Sequence, residues 1–117
     1  MSLQKVCFII SPIGEPDSEP RKLSDEKYDL IFKPILEELG YEPIRADKES
    51  SSNSISRGIV TRLINSELVI ADVTSYNANV FYELAIRNAA KKPVIIVKEP
   101  DQKLPFDVYD RDPYPLI

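Results

Sequence analysis

Residues Glu67–Val97 read ELVIADVTSYNANVFYELAIRNAAKKPVIIV. The run opens on ELVIA (Glu67–Ala71), a strand stopped by Asp72, and turns at Thr74-Ser75-Tyr76-Asn77. It then passes into a helix over about Asn79–Lys91 and closes on PVIIV (Pro93–Val97), apolar throughout, as a strand covered on both faces reads. Strand, helix and strand joined this closely form a parallel crossover unit.

Working outward toward the N-terminus, KVCFII (Lys5–Ile10) is another short apolar strand, broken by Ser11-Pro12-Ile13-Gly14. The stretch from there through Lys22 holds three prolines and reads as a long loop, because proline removes a helical donor. Ser24, followed by Asp25 and Glu26, predicts a helix start that runs to Leu39. Its apolar stripe is Tyr28, Ile31, Phe32, Ile35, Leu36 and Leu39, with a bend at Pro34 and a left-handed cap at Gly40. YEPIRA (Tyr41–Ala46) is a strand placed at a sheet edge by Pro43. A polar loop, Asp47–Ser54, leads into a second helix over about Ile55–Asn65, with Ile55, Ile59, Leu63 and Val60 facing inward.

Strands alternating with helices predict an α/β fold: a three-layer, doubly wound, flavodoxin-like parallel sheet of four to five strands in the order 2-1-3-4. Ligands of such sheets bind beyond the carboxyl ends of the strands where the order reverses, here between the first and third strands. The tail from Glu99 carries no fifth element, so residues 1–117 are expected to be one domain excised from a longer protein.

The 117 residues suit a single core, and 43% apolar with 29% charged residues is the balance of a globular domain. A formal charge of −4 offers no basic surplus for a phosphate backbone, so nucleic acid is not an expected partner. No apolar segment is long enough to span a bilayer, so neither a membrane partner nor a leader is expected. The single Cys7 lies in an apolar run, as a small buried hydrophobe would, which fits a reducing, cytoplasmic setting. The chain has no histidine, which removes the commonest metal ligand, the commonest general base and every histidine-activated nucleophile. No metal and no bound cofactor are expected.

Glycine-rich dinucleotide and P-loop motifs, paired cysteines and a nucleophile elbow are all absent. A phosphoacceptor aspartate at Asp72 would need an acidic pair after the first strand, where Ser11-Pro12 stands instead. What remains is the polar cluster from Asp72 to Glu83. That cluster, within ADVTSYNANVFYELAIRNAAKKPVIIV and together with FIISPIG (Phe8–Gly14) and LPFD (Leu104–Asp107), resembles the bacterial TIR-like and nucleoside 2-deoxyribosyltransferase-like domains. The likeness covers most of the chain and is most specific over Asn77–Glu83.

The resemblance implies cleavage of the N-glycosidic bond of a nucleotide, NAD or a nucleoside 5′-phosphate, as substrate rather than cofactor. It puts the catalytic glutamate at Glu83. Asn77 stands where the deoxyribosyltransferases often carry aspartate. Chemically, breaking a ribosyl–nitrogen bond builds positive charge on the sugar, which a fixed carboxylate captures or stabilises. Near the helix N-terminus, Glu83 is expected to have a lowered pKa and to stay ionised. Asp72 is the candidate for ribose hydroxyls, Asn77 and Asn79 for hydroxyls or a base edge, Tyr82 or Phe81 for stacking, and Ser11 with Gly14 for a phosphate.

Each of these residues also has a plain structural reading. Glu83 pairs with Arg87 on an exposed face, and Asp72 or Asn77 caps the helix. Ser11 and Gly14 form a strand-ending turn, Tyr82 and Phe81 pack, and Phe106 with Asp107 serves the tail. The alternative to an enzyme is a non-enzymatic module that binds a nucleotide or self-associates; the resemblance also implies that assembly, such as a homo-oligomer, or a second domain completes the pocket.

Overall fold

The structure, a computed structural model, describes residues 5–12, 14–15, 17–46 and 57–103. Strands β1 (Lys5–Ile10), β2 (Tyr41–Arg45), β3 (Leu68–Asp72) and β4 (Val94–Val97) form one sheet in the order β2-β1-β3-β4. Every neighbouring pair is parallel. The fold is therefore the doubly wound, flavodoxin-like α/β sheet that the order of elements predicts. β1 has the bounds read from its apolar run, and Pro43 lies in edge strand β2, opposite Cys7, where a missing donor costs little.

Helices cover both faces. Alternate strand residues Phe8, Ile10, Val69, Ala71 and Ile96 pack on one side with Ile59 and Leu63 of α3 (Arg57–Asn65) and Val80 and Leu84 of α4 (Ala78–Ala89). Cys7, Ile9 and Ile70 face the other way, against Phe32 and Leu36. Val60 is half-buried, in keeping with its expected inward side.

The first helix departs most from expectation. It begins at Glu19, not after Ser24: α1 spans Glu19–Lys27, a wider π turn spans Tyr28–Phe32, and α2 spans Lys33–Glu38. Its cap is Ser18, whose Oγ accepts the Arg21 N–H at 3.3 Å. Pro20 sits in the first turn, where a helix has no use for its donor, so proline density did not prevent a helix. Ser24 is instead buried within α1, and its hydroxyl donates to the Pro12 carbonyl in the loop after β1.

Pro34 lies in the first turn of α2, and the chain widens just before it, with the Lys33 N–H reaching back to the Tyr28 carbonyl. That extra residue per turn shifts the phase of the apolar stripe. Phe32 and Leu36 are buried and Tyr28 half-buried, but Ile31, Ile35 and Leu39 are exposed, and Leu30 is 74% exposed. Gly40 has φ +91°, the left-handed conformation expected of it.

Two buried arginines tie the layers together. Arg45, at the end of β2, lies 2.7 Å from the Asp25 carboxylate and 5.1 Å over the Tyr28 ring. Arg87 on α4 is wholly buried and donates to the carbonyls of Leu63, Ser66 and Pro93 at 2.8–3.2 Å. Met1-Ser2-Leu3, the Asp47–Ser54 loop, Ile55, Leu104, Phe106 and Asp107 lie outside the described residues. Among the described residues, no helix is long and apolar enough to cross a membrane.

Candidate functional site

The carboxyl ends of β1 and β3 lie side by side, because Ile10 is paired with Ala71. The next residues, Ser11 and Asp72, thus both stand at the strand tips where the strand order reverses. Asp72 is buried, and alternation turns it to the side of Ile70, toward α1. There its Oδ2 accepts from the Lys27 ammonium at 2.9 Å and its Oδ1 from the Thr74 N–H at 3.1 Å. The ammonium also donates to Thr74 Oγ1 at 3.3 Å. Asp72 therefore fixes the turn after β3 and anchors a cation from α1.

Ser11 is 6% exposed, and its hydroxyl has no hydrogen-bond partner among the described residues. Gly14 has φ +64°, and a Cβ there would lie 2.9 Å from Ser18 Oγ. The turn that delivers the chain to the α1 cap therefore requires glycine at this position. Asn77 caps α4, its Oδ1 accepting the Val80 N–H at 3.2 Å. Asn79 is exposed in the first turn, and Tyr82 is 62% exposed on the outward stripe with Ala78, Ala85 and Ala89.

The aromatic that sequence reasoning passed over is Tyr76, whose signal was only its place in the turn. It holds φ +56°, its ring stacks on Phe81 with centroids 6.4 Å apart, and its hydroxyl donates to the Lys103 carbonyl at 2.5 Å. Gln102 adds a 2.7 Å bond to the Val73 carbonyl. The chain after β4 is thereby strapped across the turn that leads into α4.

Glu83 lies on the inward stripe of α4 with Val80, Leu84 and Arg87, and is only 7% exposed. Among the described residues no hydrogen bond or ion pair reaches its carboxyl. An exposed Glu83–Arg87 pair is therefore not what forms. Both residues are buried, and Arg87 spends its donors on backbone carbonyls.

The expected lowering of its pKa is also overturned. Glu83 stands in the second turn of α4, beyond the strongest part of the helix-end field, and burial pushes its carboxyl up to about 7. Burial pushes the Cys7 thiol up to about 12 as well, which makes it a core residue rather than a nucleophile.

The sequence candidates thus fall into two groups. Ser11 and Asp72 lie at the strand tips, with Asp72 turned to the α1 side and bonded to Lys27 and Thr74. Glu83 rises from α4 on the other side, and Asn77 holds the start of its helix. Lys27 could not be found by local pattern, since it meets Asp72 across 45 positions of sequence. The chain matches no family model and no curated protein.

Proposed function

We propose that this domain cleaves the N-glycosidic bond of a nucleotide, of the NAD type or a nucleoside 5′-phosphate, with Glu83 as the group that meets the sugar. The observation that carries this reading is a carboxyl buried on an inward helix stripe with no cationic or hydrogen-bonding partner among the described residues. A buried carboxylate without a partner is expensive, and proteins keep such groups chiefly where they act.

In the proposed reaction the C1′–N bond breaks with its electron pair leaving on the base, and C1′ becomes cationic. The Glu83 carboxylate then bonds to C1′ or stabilises the cation until water adds its oxygen there. The water proton departs to the carboxylate or to the released base. A carboxyl titrating near 7 is ionised in part of the population at neutral pH, and the developing sugar cation favours that ionised form. A nicotinamide leaving group is already cationic and needs no acid, so the single carboxyl suffices for an NAD-type substrate. Incubating the protein with NAD and a panel of nucleoside 5′-phosphates, then separating free base by chromatography, tests the reading.

A self-associating module is the second reading, favoured by the exposed Leu30, Ile31, Ile35 and Leu39 on the π turn, α2 and its C-cap. Sedimentation across a concentration series tests it: a monomer at all concentrations counts against it.

A further inference from the structure

At the tip of β3, α1 and the following turn bring together two hydrogen-bond donors that the reading above leaves unused. The Lys27 ammonium gives one N–H to Asp72 Oδ2 at 2.9 Å and one to Thr74 Oγ1 at 3.3 Å, which leaves the third of its three N–H groups without an acceptor among the described residues. Because Thr74 Oγ1 accepts from the ammonium, its own hydrogen points elsewhere, and no described group receives it. Both side chains keep partial access to solvent, whereas Asp72 behind them does not.

Two donors 3.3 Å apart, at the tip of β3 where the strand order reverses, match the oxygens of one phosphoryl group. A diol fits less well. Each Asp72 oxygen already accepts one donor, so the surplus at this place is of hydrogens to give rather than lone pairs to offer.

We propose that Lys27 and Thr74 together bind a phosphoryl oxygen of the nucleotide, with Asp72 as the positioning group that holds them. This rests on the nucleotide reading and names the residues that hold its phosphoryl group. Asp72 already balances the lysine charge, so the gain is that of two directed donors rather than of a free cation, about tenfold for each.

The test measures binding in the Glu83→Gln protein, so that turnover plays no part. AMP, adenosine and inorganic phosphate are each titrated by calorimetry. AMP is expected to bind at least tenfold tighter than adenosine, with inorganic phosphate displacing it. Thr74→Val, which keeps the shape and removes the donor, should lower the AMP-to-adenosine ratio about tenfold, and Thr74→Ser should restore it. Lys27→Gln should lower the ratio further.

A purely structural lysine would change adenosine and AMP binding alike. Equal affinity for AMP and adenosine in the Glu83→Gln protein, no binding of AMP, or a ratio that survives Thr74→Val would overturn the proposal. The N-glycosidase reading fails on a different result, namely unaltered base release by Glu83→Gln.

Discussion

Glu83 and Arg87 stand four residues apart on the buried stripe of α4 and do not pair. The guanidinium turns to the carbonyls of Leu63, Ser66 and Pro93, and the carboxyl has no hydrogen-bond or ion-pair partner among the described residues. In most helices this spacing of opposite charges forms a surface ion pair. Here the arginine is structural, and burial of the glutamate raises its pKa.

That cost should be measurable as stability. Because the folded pKa of Glu83 is raised to about 7, the folded state resists ionisation between about pH 4 and pH 7, while the unfolded chain ionises freely. Stability from this group is full at low pH, is lost as pH rises to about 7, and stays lost above it. Glu83→Gln should therefore be more stable than the parent at pH 8, by on the order of 2 to 3 kcal/mol, and nearly equal to it at pH 4.5. Urea denaturation at the two pH values checks this; a variant less stable at pH 8 would refute it.

Arg87→Met should destabilise the domain by about 3 kcal/mol or more. It keeps the volume but strands three carbonyls that the guanidinium serves at the end of α3 and before β4. The midpoint of urea unfolding is the readout, and a loss under about 1 kcal/mol would mean that water replaces the guanidinium.

Gly14→Ala combines a left-handed backbone with a Cβ 2.9 Å from Ser18 Oγ, so it should cost about 1 to 2 kcal/mol through the α1 cap. Thermal unfolding monitored by circular dichroism checks it. An unchanged midpoint would show that the turn relaxes freely.

Catalysis by an anionic Glu83 has its own pH signature. With the carboxyl held near 7, kcat/KM should rise with pH through one ionisation near that value and level off above it. A rate that instead falls as pH rises through 7 would assign Glu83 as an acid rather than a nucleophile.

The sheet was legible because its signals are local. KVCFII has no polar alternation, Pro43 excludes a central position for β2, and the β3-α4-β4 run permits only a parallel pairing. The first helix was less so, since the Ser18 cap hides among prolines and the π turn before Pro34 shifts the stripe by a residue. Asn77 could be read as either a cap or a ligand residue, and it caps α4.

Glu83 itself was legible as a residue but not as an environment. Periodicity assigns a charged side chain four residues before an arginine to the surface, and only the packing of Val80, Leu84 and Arg87 turns it inward. The Lys27–Asp72–Thr74 contact depends on the fold, not on spacing, and no pattern in the chain announces it.

The central claim is that the solitary carboxyl of Glu83 acts on a sugar. The direct measurement is release of free base from NAD and nucleoside 5′-phosphates by the parent protein and by Glu83→Gln, with both shown to be folded by circular dichroism. The account predicts release by the parent and a loss of at least about a hundredfold in the variant. Equal rates for the two proteins, or no release by the parent from any of these substrates, would contradict it.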